Sequence, residues 1–255
     1  MKVEGEITRG TTNPNRLRRC DRWILKNFET LLRNHENGMV VDLGYGASPI
    51  TTVEMADRLH KHYPLIEIVG LEIDPARVAN AQSAIKPGLS FQLGGFEIPT
   101  PKRPFLIRAF NVLRQYHVDE VLPAWQRLQE KIENDGIIID GTCDEIGRRS
   151  TWITLSKSAP ISLTLATRLI GLEDPKELAE RLPKILIHRN VQGEKIFNFL
   201  EDLSLAWKSN SSLKIFGPRQ RWNASVATVR KDWPISSTGL GELTIAWDAV
   251  NPLKN

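Results

Sequence analysis

Residues 40–49, VVDLGYGASP, constrain this chain more than any other stretch. An apolar pair, Val40-Val41, runs into Asp42, and Gly44 and Gly46 follow with Tyr45 between them. A helix-like segment begins directly afterwards. A strand that ends in two closely spaced glycines before a helix is how an α/β sheet brings its backbone close to a nucleotide-like ligand. Glycine is needed because the turn uses backbone angles closed to other residues, and because a side chain would fill the ligand's place.

The neighbouring sequence repeats the same rhythm. Residues 39–43 form a short apolar run bounded by Asn37-Gly38 and the glycine turn, which fits a buried parallel strand. Residues 50–62 predict a helix, stopped by Tyr63-Pro64. Residues 66–73 are a second strand, and Asp74-Pro75 caps a helix over 77–84. Residues 89–93 predict a third strand leading to Gly94-Gly95, and 105–110 a fourth. A helix over 120–133 ends at Gly136, and 137–139 begin a fifth strand. Strands alternating with helices imply a parallel sheet with right-handed crossovers and helices on both faces. Ligands then bind outside the carboxyl ends of the strands.

Ahead of this core, residues up to about 12 read as loosely structured. Asn13-Pro14 predicts a helix start, with Leu17, Cys20, Ile24, Phe28 and Leu31 on its apolar face. Arg16, Arg18, Arg19 and Arg22 lie on the other side. Beyond the core, residues 152–155 and 161–165 predict two strands around Ser158-Ala159-Pro160, and Asp174-Pro175 with Glu177 a capped helix start. Residues 185–188 read as a strand, 194–208 as a helix, the segment after Phe216-Gly217-Pro218 as another helix, and 243–250 as a last strand. The division expected is 1–37 for the tail and first helix, 38–158 for the ligand-binding core, and 159–255 for an elaboration completing the sheet and covering the site.

Composition excludes several classes. With 41% hydrophobic and 25% charged residues in 255, the chain reads as an ordinary globular protein. It contains no unbroken apolar run of the roughly 18–20 residues that span a membrane, and its opening residues do not read as a secretory signal. The two cysteines, Cys20 and Cys143, lie far apart without metal-ligand spacing, so free thiols, a cytoplasmic setting and no metal are expected. A net charge of +4 permits an anionic partner without demanding one.

The glycine turn departs from the dinucleotide pattern. That fingerprint is G-x-G-x-x-G after the strand, whereas here Gly44-Tyr45-Gly46 leads into Ala47-Ser48-Pro49. Asp42 would also face the negative charge of a pyrophosphate. The pattern instead resembles the class I S-adenosylmethionine-dependent methyltransferases, whose first motif is acidic-x-Gly-x-Gly-x-Gly. Residues 42–48 match it, except that Ser48 replaces the last glycine. The family's second mark, an acid ending the second strand, falls on Glu72 in VGLEIDP. More loosely, the whole chain resembles bacterial methyltransferase-like proteins in which a strand ends in FNVLRQY.

The resemblance covers about residues 38–145. It implies a Rossmann-like, doubly wound, mostly parallel sheet of class I methyltransferase type, with an N-terminal helix and a C-terminal α+β elaboration. It implies S-adenosyl-L-methionine as cofactor, contacted by Asp42, Gly44, Tyr45, Gly46, Glu72, Ile73, Gly95, Phe96 and Asn111. Glu72 would accept hydrogen bonds from both ribose hydroxyls, and Gly95-Phe96 would cradle adenine. Asp74 reads as a helix cap. The methyl group would face residues 108–117. Asn111 is present there, but Val112 and Leu113 stand where the methylases of exocyclic base amines have two prolines, so that class is disfavoured.

Asn111, Arg108, Asp140 and Asp144 are the candidate catalytic residues. Asp140, Asp144 and Glu145 could supply a base or recognise a cationic amine, or could serve as turn caps and surface partners of Arg148 and Arg149. Arg16, Arg19, Arg219 and Arg221 are candidate contacts to RNA or an anionic small molecule, or simply solvated. The reading is a methyltransferase of open acceptor. The alternatives are a non-catalytic S-adenosylmethionine-fold binding or regulatory protein, and an aminopropyltransferase-like enzyme.

Overall fold

Five apolar runs in the first half of the chain form strands β1 (Met39–Leu43), β2 (Glu67–Glu72), β3 (Leu89–Leu93), β4 (Leu106–Phe110) and β5 (Ile137–Cys143). They lie parallel in the order β3-β2-β1-β4-β5. The computed structural model describes residues 3–7 and 9–253. These divide into two units. One is the chain up to Gly147 with Leu155–Ala159, and the other is Arg148–Thr154 with the chain from Pro160 onward.

In the first unit the central strands are covered on both faces. Every residue of β1, β4 and β5 is buried, while edge strand β3 alternates. That difference is why the central strands read as unbroken apolar runs. The helices are α1 (Arg18–Asn27), α2 (Glu29–Asn34), α3 (Ile50–His60), α4 (Pro75–Ala81) and α5 (Val121–Lys131). Strand register assigns two of their faces. Asp42 of β1 pairs in register with Arg108 of β4, which pairs with Ile139 of β5. Side chains alternate along a strand, so Asp140 points away from the face that carries Arg108. Arg108 meets Asp21 of α1, whereas Asp140 meets Trp125 of α5. Helices therefore cover opposite faces, and the unit is a doubly wound, Rossmann-like sheet. The strand order turns between β1 and β4, and the crevice outside their carboxyl ends is where such sheets bind ligands.

The face under α1 holds a buried ion-pair network. Arg108 is 0% exposed. Its Nε and Nη2 donate to the two oxygens of Asp42 at 2.9 and 2.7 Å, its Nη2 also to the Thr51 carbonyl at 3.1 Å, and its Nη1 to Asp21. Asp21 also takes Arg58 Nη1 at 2.6 Å, and Asp42 takes the Thr52 hydroxyl at 2.6 Å. Burial pushes the Asp21 carboxyl above its ordinary range against the pull of Arg108 and Arg58. Arg108, a catalytic candidate by sequence, lies mid-strand, and its side chain points into the α1 layer rather than out of the strand end.

The second unit holds β6 (Arg149–Ser156) as far as Thr154, with β7 (Pro160–Thr167), β8 (Ile235–Thr238) and β9 (Glu242–Ala246), in the order β6-β7-β9-β8. β7, β9 and β8 run antiparallel. Thr164 and Thr244 are register partners whose hydroxyls bond at 2.9 Å. The helices are α6 (Lys184–Ile187), α7 (Lys195–Ser209) and α8 (Pro218–Val229). Asp174 and Glu177 form a capping box, opening a 3-10 turn over Pro175–Arg181.

Several boundaries differ from the sequence expectation. The first helix begins at Arg18, because Asn15 adopts a left-handed φ of 60° that no regular helix accepts. Residues 185–188 are not a strand: Pro183 starts the single helical turn α6. The last strand ends at Ala246, where a 3-10 turn follows, and β8 lacked a visible pattern. Among the described residues no helix is long and apolar enough to cross a membrane.

Replacing Arg108 with Met leaves Asp21 and Asp42 buried without their shared cation. Urea unfolding at pH 8 is expected to show a loss of about 3–5 kcal/mol. The loss should shrink at pH 5, because burial already raises the Asp21 carboxyl and losing Arg108 leaves it readier to take up a proton. An unchanged midpoint at pH 8 would mean the network contributes nothing.

Candidate functional site

The segment after β1 uses left-handed backbone at Gly44 (φ 68°) and Gly46 (φ 87°). A Cβ on Gly44 would lie 2.7 Å from Val112, and one on Gly46 would lie 2.6 Å from the carbonyl of Gly10. Both positions therefore exclude side chains by conformation and by contact. Tyr45, between them, turns inward. It is buried, packs edge-on against Phe91 at 5.3 Å, and its hydroxyl reaches the Arg77 carbonyl at 3.4 Å. Burial and the nearby Glu72 raise its ionisation well above the ordinary tyrosine range, so the phenol keeps its proton. Ser48, in the place of a third motif glycine, accepts a long 3.4 Å bond from Ile50 N at the start of α3.

Glu72 ends β2 and is 2% exposed. One carboxylate oxygen accepts from Gly46 N at 2.9 Å and lies 3.5 Å from Arg77 Nη1. The other accepts from Ile73 N at 2.9 Å and from Asp74 N at 3.4 Å. Charge-assisted bonds to main-chain N–H groups hold a carboxylate in place strongly. The glycine turn of β1 and the acid of β2 are thus one bonded unit. Asp74 is the N-cap of α4, accepting from Ala76 N at 2.9 Å with Pro75 next, as its spacing suggested.

The loop after β3 forms the third wall. Phe96 is buried, meeting Tyr116 edge-on at 5.6 Å and lying 5.5 Å from the Arg127 guanidinium. Gly95 N donates to Glu97 at 3.0 Å. Sequence reasoning named Gly95 and Phe96 but not Glu97, which is buried. An acid directly after a Gly-Gly-aromatic strand end was the available signal. Arg77, in the first turn of α4, was also missed; it faces both Glu72 and Asp74.

Across the crevice, Asn111 follows β4 with a left-handed φ of 59°. Its N donates to Gly141 O at 2.7 Å, its Oδ1 accepts from Cys143 N at 3.0 Å, and its Nδ2 donates to Cys143 Sγ at 3.3 Å. It ties the carboxyl ends of β4 and β5 together. Burial pushes the Cys143 thiol up, so it stays protonated at neutral pH. Asp144 accepts from Ile146 N at 3.2 Å in its own turn, and its carbonyl takes Arg16 Nε at 2.9 Å.

The remaining candidates lie elsewhere. The Asp42 carboxylate is bonded to Arg108 and Thr52, one layer below the turn it introduces. Asp140 sits within β5 and accepts from Trp125 Nε1 at 2.9 Å, so it faces α5 rather than the strand end. Arg19 is half-exposed on α1 and Arg219 is exposed on α8. Arg221 lies 3.9 Å over the Trp207 ring and donates twice to the Trp207 carbonyl, at 2.9 and 2.7 Å, so its fork caps the end of α7.

No protein-family model and no curated protein matches the sequence. Among solved structures the chain is similar to the DszA carbon methyltransferase, at 14% identity and a TM-score of 0.42, over 49% of this chain and 36% of that one. It is also similar to magnesium protoporphyrin IX methyltransferase from Synechocystis with bound S-adenosylhomocysteine, at 15% identity and 0.39, over 50% and 54%. A third is human N-acetylserotonin methyltransferase with S-adenosylmethionine, at 20% identity and 0.35, over 52% and 39%. The chain thus spans between about a third and a half of the length of these structures.

Asp140 makes stability depend on pH. Burial raises its carboxyl to about 7, against the single bond from Trp125. The folded state then holds a proton that the unfolded state has released, so stability falls as pH rises from about 4 to 7. Asp140→Asn keeps an acceptor for Trp125 without the charge. It should flatten that slope and gain as much as about 4 kcal/mol at pH 8. Thermal unfolding of both proteins across this range checks it, and parallel curves would show that Asp140 is ionised at ordinary pH.

Proposed function

We propose that the crevice at the carboxyl ends of β1, β2 and β3 binds S-adenosyl-L-methionine, and that the protein is a cytoplasmic methyltransferase. The Glu72 carboxylate carries this reading. It ends β2, is buried, and lies 2.9 Å from Gly46 N in the middle of the glycine turn. A pyrophosphate placed on that turn would meet a buried negative charge. A ligand with two ribose hydroxyls, an ammonium and a sulfonium would bring donors and positive charge to it. The doubly wound strand order puts this acid and the glycines at the same end of the sheet.

Methyl transfer from a sulfonium is an in-line displacement, so the residues' main task is to position the acceptor. Asn111 is the residue best placed to do so, because this left-handed residue is tied to β5 through both its main-chain N and its side chain. Left-handed conformations at non-glycine residues collect at functional sites. The acceptor is a small molecule or RNA. Arg219 remains a candidate contact for an anionic acceptor, whereas Arg16 and Arg221 already serve main-chain carbonyls.

A second reading is cofactor-fold binding without catalysis. It is favoured by the acceptors of Glu72, which already face Gly46 N, Ile73 N and Arg77. An aminopropyltransferase has less support, since Asp140 faces Trp125 and leaves Asp144 and Glu145 as the acids after β5.

Calorimetry should detect binding of S-adenosylhomocysteine. Glu72→Gln should weaken it by about tenfold or more, since a charge-assisted bond contributes roughly 1.5–3 kcal/mol. Equal binding by Glu72→Gln would remove the basis for the reading. Incubation with methyl-labelled S-adenosylmethionine and fractionated extract then separates the two readings. Binding without label in any fraction selects the non-catalytic one, and nuclease-sensitive label identifies RNA as acceptor.

A further inference from the structure

The crevice is not open. Residues 3–7 and 9–12 cross it, and they take the main-chain groups that a ligand would use. The Glu4 carbonyl accepts from Phe96 N at 2.9 Å, and Glu4 N donates to the buried Glu97 at 2.8 Å. Glu6 N donates to the Tyr116 hydroxyl at 2.6 Å, and Arg9 N to Gln115 Oε1 at 2.9 Å. Over the glycine turn, the Gly10 carbonyl accepts from Ala47 N at 2.8 Å, and the Thr12 hydroxyl donates to Tyr45 O at 2.9 Å. The approach is close enough that a Cβ on Gly95 would lie 1.9 Å from Glu4 O. Gly10 lies against the Arg77 guanidinium, which in turn faces Glu72. The cavity left between Glu4, Gly5, Glu6, Gly44, Glu72, Gly95 and their neighbours is about 20 Å³. That is room for about one water, against the roughly 300–1,000 Å³ of small-molecule sites.

We propose that this N-terminal segment is a built-in strap that occupies the cofactor crevice and must leave before S-adenosylmethionine enters. The inference rests on the cofactor reading above and adds the regulation of that site. The strap covers the walls expected to meet adenine, ribose and the amino-acid end in one pass. It holds on chiefly through main-chain bonds and a few polar side chains, with exposed residues at Glu4, Gly5, Glu6, Ile7 and Arg9, so it can release without disturbing the sheet. A binding-competent state populated only when the strap is off lowers apparent affinity by the fraction of time it is off.

The test compares S-adenosylhomocysteine binding by the full chain, by the chain lacking residues 1–12, and by Gly10→Pro. Proline cannot adopt the φ of 71° at Gly10, so its carbonyl leaves Ala47 N while the crevice walls are untouched. Far-UV circular dichroism checks that all three are folded. The released forms should bind at least about tenfold more tightly than the full chain. Ligand should also speed amide exchange in residues 3–12 and tryptic cleavage after Arg9 in the full chain. Equal affinity in all three forms overturns the strap and leaves the cofactor reading intact. Slower exchange with ligand also overturns it, because the segment would then close over the cofactor instead of giving way. No binding by any of the three overturns the cofactor reading, and the strap with it.

Discussion

Arg108 is the interaction on which the first unit depends. It lies in the middle of β4 with its guanidinium fully removed from water, and it touches β1 through Asp42, α1 through Asp21 and α3 through the Thr51 carbonyl. Burying such a group is costly unless every charge is matched and the remaining donors are bonded. Here Asp42 takes it with both oxygens, which is the arrangement that suits a planar fork. Asp42 and Arg108 are also register partners. A slip of one residue between β1 and β4 would put them on opposite faces and strand two buried charges. The pair therefore fixes the register of the central strands, and with it the position of the glycine turn that begins two residues after Asp42.

That role revises the meaning of the acidic residue in the opening motif. By sequence, Asp42 stood before the glycines as a carboxylate that would repel a pyrophosphate. In the fold its charge is matched by Arg108 and bonded to Thr52, so its effect at the crevice is geometric. The acid that faces the turn is Glu72. It and Gly46 are joined directly, so the end of β2 and the turn after β1 form one rigid rim. The negative charge of the crevice comes from Glu72 and Glu97, both buried and both bonded to main-chain N–H groups.

Much of the parallel sheet was legible because its strands are buried on both faces, and that leaves unbroken apolar runs between glycine and proline. Asp74-Pro75 and the pair Asp174 and Glu177 were legible as helix starts because capping places side-chain oxygens at fixed offsets. The misread parts lack such local signals. Residues 185–188 are apolar and short, and period alone does not separate one helical turn from a strand at that length. A charged residue inside an apolar run, such as Arg108 or Asp140, gives no hint of whether it leaves the strand end or pairs beneath the sheet. That is decided by partners far away in sequence, Asp21 and Trp125. Arg221 read as a contact to RNA or an anionic small molecule, or as solvated, whereas its ring and carbonyl partner both belong to Trp207 of the same chain.

The N-terminal segment shows most clearly where sequence reading stops. Residues up to about 12 read as loose, and those of them that the structure describes are 3–7 and 9–12. Yet their ties to the sheet are largely carbonyls and amides, which every sequence possesses. The glycines of the rim have the complementary ambiguity. Gly46 and Gly95 lack side chains because another backbone comes within contact distance, and in this structure that backbone is the chain's own. A motif glycine therefore records close approach without naming what approaches. The same physical requirement fits a ligand and a strap equally well, and a crevice shaped for one admits the other. A ligand that used the N–H groups of Ala47 and Phe96 would have to take them from the Gly10 and Glu4 carbonyls, because each can serve only one occupant at a time.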